Sequence, residues 1–570
     1  MAADGEIRAI DTTALRKRCR ARVAALKSER ELWMSDWQQV SEYIDPIRGR
    51  FDRSRTPNSP AKRSRKKIIN DTATRALRTM AAGMMSHMTS KSRPWFRLTL
   101  ADNAMAEMAD VRVWLDLVGN IVRDTLAKSN FYKAMPVVYT EDGMFGISAM
   151  LVLEHPTEVV GFYPLTCGTY AIGLNDQQQV DTLWRCYTRT AKQLEERYGQ
   201  EKLPQPVKDA LRNDRVDQVF EVQSLFEPNP DARPGMGPLG LQAAPYRAYR
   251  EVVWMDCGND TDGVLHIGGH YEFPAVVIRW NPVGGDVYST SPALDALGDI
   301  KQLQYLEGKK LELIDLQATP PLGLPDSLRN TGEGSLRPGT KTYLPATAGR
   351  EAATPLYTPD PRAVQMLAAE IREVEARIQD AFFYNLFLML ATLDDRDRTA
   401  TEIAERREEK AAVLGPSLEA VTDEGLDPIV IRTYKILERA GRLPPPPEAL
   451  DGMPIKIEYT SILAQAAKAH GTASIERVLN FVGAAAGLVG PAVLDKLDPD
   501  QMIDEYADRV GVPVSVIRSD EAVEETRQAR QQQEQMQQLA MMAQPAAQGA
   551  QAVKALAEAG AVTQQTVGAG

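Results

Sequence analysis

Cysteine and histidine are scarce in this chain of 570 residues, which holds four cysteines and five histidines. The cysteines lie far apart and form no Cys-x-x-Cys pair, so their pattern predicts neither a zinc ribbon nor a disulfide framework and favours a reducing, cytoplasmic setting. The sequence also lacks a Gly-x-Ser-x-Gly motif and any Cys/His pairing typical of a nucleophile. We therefore predict that the protein is not an enzyme and binds no cofactor.

Long apolar runs and net positive charge are lacking as well. The longest dense apolar run, residues 381–393, contains Asn385 and is shorter than the ~20 residues that a membrane-spanning helix needs. The N-terminus has no apolar signal region, so we expect a soluble protein without a membrane partner. The formal charge of -11 argues against a protein that coats nucleic acid through many phosphate contacts.

A phosphate-binding loop is missing too. The nearest match, GSLRPGTKT at residues 334–342, has Thr340 between Gly339 and Lys341, where the motif requires Gly followed directly by Lys. His266 and His270 would lie about 13 Å apart on one strand, too far to share an ion. A turn between them would bring them together, although ordinary hairpin residues are the favoured interpretation. A metal-dependent enzyme that uses these two histidines stays open as an alternative.

The pattern along the chain predicts an α+β protein that is mainly helical. The first 145 or so residues show helical spacing, and the first helix has a cap at Asp11-Thr12-Thr13 and ends before Pro46. Residues 147–281 change to a period of two in β-branched and aromatic runs, which predicts a mixed sheet with one short helix near residues 192–198.

Two further helices begin alike, because Ser291-Pro292 and Asp360-Pro361 each place a capping side chain before a proline at the first helical position. The second helix carries an apolar seam at three-four spacing, formed by Val364, Leu367, Ile371, Val374 and Ile378. Between the two helices, residues 319–357 are rich in proline and glycine, which excludes a helix. An insert of this length is usually functional rather than a mere connection.

Two segments of the chain are densely charged. The first is DDRDR, formed by Asp394, Asp395, Arg396, Asp397 and Arg398. A capping box at Thr399-x-x-Glu402 restarts a helix directly after it, so these residues form a loop between two helices. The two arginines would compensate the carboxylates and repel a metal ion, although a metal site on the three aspartates stays an alternative. A plain charged loop, or one that contacts a polyanion or a neighbouring subunit, agrees better with the pattern.

The second charged segment, residues 48–67, is basic. It ends in a cluster formed by Arg63, Arg65, Lys66 and Lys67. A solvated loop and a contact with an acidic partner are both open.

Taken in order, several segments resemble the bacteriophage portal proteins of the short-tailed, T7-like head-to-tail connector family. They are RVAALKSERELWMSDWQQVSEYIDP, INDTATRALRTMAAGMMSHMTSKSRPWFRL, SPALDALGDIKQLQYLEG, LRPGTKTYL, DRTATEIAERREEK and LGPSLEAVTDEGLDPIVIRTYKILERAGRLP. The similarity extends to about residue 530 and rests on order and spacing rather than on one motif.

The resemblance implies a portal fold assembled as a ring, commonly of about twelve copies. It implies a wing at 1–290, stem helices at 291–317 and 361–390, a clip at 318–360 and a tunnel loop at 391–398. Helices on the wing and crown side would follow at 399–445, a crown at 446–520, and a Gln- and Ala-rich barrel helix with a tail at 521–570.

The same resemblance implies the partners and the location. The ring would lie at one capsid vertex of a virion, after assembly in the host cytoplasm, and double-stranded DNA would pass through it during packaging and ejection. The clip residues Arg329, Arg337 and Lys341 would meet the terminase and later the tail adaptor, and major capsid and scaffolding proteins would surround the ring. Residues 394–398 would face DNA, where alternating charge avoids gripping the phosphates of a moving duplex. Another virion ring adaptor is the remaining alternative.

Overall fold

The computed structural model describes residues 12–51, 67–102, 108–232, 247–256, 263–325, 338–344, 354–357, 359–391, 414–447 and 455–460, together with 105, 450, 501–502, 523, 526–533 and 535. The helices in this part include α1 (Thr12–Tyr43), α2 (Thr72–His87), α3 (Ala109–Lys128), α4 (Phe131–Phe145), α5 (Ala191–Tyr198), α6 (Gln205–Arg212), α7 (Pro292–Asp295), α8 (Leu297–Ala318), α9 (Pro361–Ala381), α10 (Tyr384–Ala391) and α11 (Asp427–Arg439). Residues 414–421 are helical as well. The strands are β1 (Phe96–Leu100), β2 (Ile147–His155), β3 (Val159–Leu165), β4 (Tyr170–Leu174), β5 (Val180–Thr190), β6 (Val219–Pro228), β7 (Tyr249–Trp254), β8 (Val264–His270), β9 (Ala275–Arg279), β10 (Leu322–Pro325), β11 (Lys341–Leu344), β12 (Thr354–Pro355) and β13 (Ile455–Tyr459).

The chain divides into two compact units. The first holds residues 1–99, 115–446 and 455–468, and the second holds 100–114, 447–454 and 469–570. Both sheets of the β-rich region and the helices α8 and α9 belong to the first unit. In the second unit, the described residues include helical pieces at 501–502 and 526–533.

A five-stranded antiparallel sheet with the order β4-β5-β6-β7-β8 is covered on both faces. Helix α1 packs an apolar seam that includes Leu15, Cys19 and Val23 against the sheet tryptophans Trp184 and Trp254. On the other face, α5 and α6 pack against β6, β7 and β8. Because successive side chains of a strand point to opposite faces, the burial of the consecutive residues Val252, Val253 and Trp254 shows that both faces of β7 are covered.

A second sheet has the order β3-β2-β9 and is also antiparallel. Helices α4 and α11 pack against its strands β2 and β3. The first six residues of β2 are buried without alternation, as expected of a strand covered on both faces. Smaller sheets pair β1 with β13 and arrange the insert strands in the order β11-β10-β12.

Several expectations from the sequence need correction. The mixed sheet is wrong, because residues 147–281 form two antiparallel sheets whose neighbouring strands are often joined by short turns, and parallel neighbours need long crossovers. The short helix near residues 192–198 is confirmed as α5, but a second helix, α6, follows it. The helical region at the start contains strand β1, whose alternating burial agrees with its sequence FRLTL.

The second of the paired helices is interrupted. Instead of one helix over 361–390, α9 ends at Ala381 and α10 begins at Tyr384, because Phe383 adopts a left-handed conformation with φ 54°. The break turns α10 toward α2, where the ring of Phe387 lies against Gly83. Among the helices described here, none combines the length and the apolar character needed to cross a bilayer.

Candidate functional site

Helices α8 and α9 form an antiparallel pair joined by the strand-containing insert. Ser291 caps α7, the four-residue helix directly before α8, by accepting a hydrogen bond from the Leu294 N–H at 3.0 Å. Asp360 caps α9 by accepting from the Arg362 N–H at 2.9 Å. At the end of the pair that is remote from the insert, Arg377 near the end of α9 binds Asp299 in the first turn of α8 at 3.2 Å.

The predicted seam of α9 lies partly inside the chain. Ile371, Val374 and Ile378 are buried, and α9 packs against α8 and α2. Val364 and Leu367, nearer to the insert, are half-buried. The single chain therefore covers the part of the seam that is remote from the insert and leaves the part near the insert partly accessible.

A polar cluster that the sequence did not reveal ties both helices to the segment before α2. The Asn70 side-chain amide donates to Glu307 of α8 at 3.1 Å and to Glu375 of α9 at 2.8 Å. Gln304 of α8 accepts from the backbone N–H of Asn70 at 2.9 Å and donates to its carbonyl at 2.8 Å. These bonds fix the base of the pair to the helical part of the first unit.

The insert is built from short strands. Strand β10 pairs with β11 in parallel and with β12 in antiparallel orientation. Lys341 begins β11 and is exposed, so its charge is available to a partner. Gly339 adopts φ 70° in the turn before β11. Arg329 and Arg337 lie outside the described residues.

Most of the predicted charged contact residues also lie outside the described part. This holds for Asp394, Asp395, Arg396, Asp397 and Arg398, and for Arg63, Arg65 and Lys66. Lys67 is described, and its ammonium group binds Glu42 of α1 at 2.6 Å and lies 5.4 Å from the ring centre of Tyr43.

The start of the basic segment is anchored near two buried acids of α4. Arg50 donates its backbone N–H to the Cys167 carbonyl at 2.8 Å. Burial raises the pKa of Glu141 to about 7, although the Cys167 N–H and the nearby Arg48 and Arg50 favour its charged form. Burial also raises the pKa of Asp142, and the Glu424 charge adds to this effect. Both oxygens of Asp142 are buried without a hydrogen-bond partner, so the site favours its neutral form.

Glu424 lies in a π-helical turn, Thr422–Leu426, that leads into α11. Its carboxylate accepts a hydrogen bond from the backbone N–H of Arg279 at 3.0 Å and binds the guanidinium of the same residue. A π-turn inside a helix is rare and often lies at a functional position. Here it places Glu424 against the end of strand β9.

The two candidate metal-binding histidines lie on one continuous strand, β8, without a turn between them. His270 shares a hydrogen bond with Glu251 at 3.0 Å, and burial lowers the pKa of His266. In the described ranges, no group of three or more His, Cys, Asp or Glu side chains is placed to hold a metal ion. The positions of the two histidines along one strand therefore do not favour a metal ion shared between them.

Comparison with known proteins gives the class directly. The model of the family described as bacteriophage head to tail connecting protein matches residues 16–517, and the chain belongs to this family. The sequence is 38% identical over 509 residues to a probable portal protein of Bordetella phage BPP-1, covering 88% of each chain. It is 35% identical over 514 residues to the portal protein of Salmonella phage epsilon15, covering 90% of each.

These matches confirm the resemblance noted from the sequence. Among solved structures, the neck of an empty gene transfer agent particle aligns with 77% of this chain and 90% of that chain. The sequence identity is 13% and the TM-score is 0.32.

Proposed function

We propose that copies of this chain form the portal ring at one capsid vertex of a phage and enclose the channel through which double-stranded DNA is packaged and ejected. The observation that carries the proposal is identity of 35–38% to proteins named portal protein over 88–90% of the chain. An identity spread over the whole length supports a shared role better than a single shared motif would.

The proposal assigns roles to the elements. Helices α8 and α9 form the stem around the channel, and the strands β10, β11 and β12 form the clip that docks the terminase and later the tail adaptor. The two antiparallel sheets and their covering helices form the wing. Residues 391–398 form the tunnel loop, residues 446–520 the crown, and residues 521–570 a barrel helix with its tail.

Exposed apolar side chains on the stem suggest where neighbouring copies meet. Tyr305, Leu311 and Ile314 of α8 are 64%, 49% and 41% exposed, and Met366 of α9 is 73% exposed. Apolar side chains grouped on one exposed helix pair often mark a contact with another protein. In a ring of identical copies this contact is heterologous and closes by rotation, so each copy uses two different surfaces.

Ring formation is tested by negative-stain microscopy and native mass spectrometry of the full chain. The wild type is expected to give rings with a central hole, and the double substitution Leu311→Ser with Ile314→Ser is expected to shift the population toward monomers. Leu32→Ser on α1 is the matched control, because Leu32 is 80% exposed but lies outside the stem. Monomers of wild-type protein at high concentration would contradict the proposal.

The tunnel loop is tested by replacing Asp394, Asp395 and Asp397 together with Asn. Less negative charge is expected to strengthen phosphate contacts, so that packaging slows while retention of packaged DNA increases. Packaging is measured as DNA protected from nuclease, and retention as DNA kept after heating of filled particles. If the Asn variant packages and retains DNA like the wild type, the assignment of residues 391–398 as the tunnel loop is contradicted.

A matched control removes three exposed acids from turns of the wing, through Glu158→Gln, Asp176→Asn and Asp214→Asn. This variant loses the same charge as the tunnel-loop variant. It is expected to package and retain DNA like the wild type, which separates a local effect in the channel from a change in net charge.

A further inference from the structure

Exposed basic side chains form a cluster beyond the end of α2. They come from the loop after α2 and from the junction of α3 and α4, and they are Lys91, Arg93, Lys128 and Lys133. Residues 88–100 and 125–140 contain five basic residues and no acidic one, whereas acidic residues outnumber basic ones, 77 to 66, in the whole chain. The basic cluster is therefore a local reversal of charge.

Contacts with aromatic rings bring the two segments together. The ammonium group of Lys91 lies 5.8 Å from the ring centre of Tyr132, and the Trp95 indole N–H donates to the Tyr132 hydroxyl at 3.3 Å. The Trp95 ring also stacks on Phe131, with 6.0 Å between the ring centres. The other three members of the cluster lie within four positions of Trp95 or Tyr132 in the chain. All four charges therefore surround one small packed area.

None of these four charges is paired with a carboxylate in the part of the chain that the structure describes. The contact of Lys91 there is with the Tyr132 ring, which leaves its charge in place. Arg97, the fifth basic residue of the two segments, is different, because it binds Glu458 of β13 at 2.8 Å. Like charges without counter-charges repel one another, so the basic cluster favours an anionic ligand.

The contacts of α2 place the basic cluster near the end of α10. At the start of α2, the Thr72 hydroxyl donates to Glu375 of α9 at 3.2 Å, and further along α2, Gly83 lies against Phe387 of α10. Helix α2 therefore runs beside α9 and α10 in the same direction. Gly83 and Phe387 each lie four residues before the ends of their helices, so both helices end close together. Residue 391, where the proposed tunnel loop begins, is therefore close to the loop after α2.

We propose that the basic cluster binds the phosphate backbone of double-stranded DNA. The proposal rests on the proposed function, which brings a duplex to residues 391–398 and so to this surface. Every aromatic side chain of residues 88–100 and 125–140 is buried or half-buried, so none offers a flat face for stacking of unpaired bases. Both segments are described in full, and neither exposes a large apolar side chain of the kind that anchors a protein partner. The contact is therefore with phosphates and is independent of base sequence.

The test measures binding of a fluorescein-labelled duplex of about 20 base pairs to the full-length protein by fluorescence anisotropy, between about 0.05 and 0.2 M salt. The wild type is expected to bind, and the logarithm of its association constant should fall linearly with the logarithm of the salt concentration. Lys91→Gln with Arg93→Gln removes two phosphate contacts. This double variant is expected to make the slope shallower by about 1.8 and to weaken binding at about 0.05 M salt by roughly tenfold or more.

Lys192→Gln with Arg197→Gln on α5 is the matched control. It also removes one exposed lysine and one exposed arginine, but Glu195 and Glu196 lie between these cations in the chain. It is expected to leave the slope unchanged and to change the affinity by less than about twofold. The proposal is overturned if the wild type does not bind the duplex, or if both double variants weaken binding equally. A polyglutamate peptide that binds more tightly than the duplex would also overturn it and assign the basic cluster to an acidic protein.

Negative-stain microscopy of the same variants separates this proposal from ring formation. Lys91→Gln with Arg93→Gln is expected to form rings like the wild type, because neither side chain belongs to the stem. Rings of the wild type without duplex binding would contradict the DNA contact alone. Monomers that bind the duplex with the expected salt dependence would support the DNA contact and contradict the ring.

Discussion

Gly83 lies in α2 at the closest approach of this helix to α10. A Cβ atom at this position would overlap the side chain of Phe387, including its own Cβ. Gly83→Ala is therefore expected to destabilise the protein by about 1–3 kcal/mol from overpacking, even though alanine favours the helix. Gly298→Ala in α8 is the control, because nothing lies within 4 Å of its added Cβ. A thermal melt checks both, and an unchanged midpoint for Gly83→Ala would contradict the close packing.

The buried Glu141 makes stability depend on pH. Its pKa is raised from 4.5 to about 7, so ionisation is easier in the unfolded chain, and stability falls as pH rises from about 4.5 to about 7. This difference corresponds to about 3 kcal/mol. Glu141→Gln keeps an acceptor for the Cys167 N–H and is expected to remove the loss. The measurement is the free energy of unfolding of the wild type and of Glu141→Gln from pH 5 to 8. Parallel curves for these two proteins would show that Glu141 does not cause the loss of stability.

A matched control for this pH dependence is Glu158→Gln, because Glu158 is exposed in the turn between β2 and β3. Water solvates its carboxylate in the folded and the unfolded chain alike. Its replacement is expected to leave the slope of stability against pH unchanged.

At the scale of elements, the π-turn before α11 is held by one ion pair. Arg279 is nearly fully buried, and Glu424 supplies its carboxylate partner. Glu424→Ala leaves that charge without compensation and is expected to cost about 3–5 kcal/mol of stability, measured by urea unfolding. Glu419→Ala, at an exposed position among the helical residues 414–421 before the π-turn, should have little effect. A small effect of Glu424→Ala would mean that water reaches Arg279.

The sequence predicted those elements whose signals are local. The caps Ser291 and Asp360 set the starts of α7 and α9, and the period of two located the strands of the wing. The break at Phe383 was not predictable, because residues 378–388 contain no proline or glycine that would mark the end of a helix. After the break, Phe387 of α10 packs against Gly83 of α2, a contact between segments far apart in the chain.

The candidate site shows the same division between local and distant signals. The insert between two capped helices was visible in the sequence, and Lys341 lies exposed at the start of one of its strands. The Asn70 cluster was missed because its partners Gln304, Glu307 and Glu375 lie more than 200 positions away.

For the whole molecule, net charge and the exposed apolar stem make opposite contributions to the proposed ring. Each chain carries a formal charge of -11, so identical copies repel one another at long range. Raising the salt concentration from about 0.05 to 0.5 M shortens the Debye length from above 10 Å to below 5 Å, which screens this repulsion and leaves apolar contacts intact. The ring fraction, measured by analytical ultracentrifugation at fixed protein concentration, is therefore expected to rise with salt. A fall would mean that ion pairs, rather than Leu311, Ile314 and their apolar neighbours, dominate the contact between copies.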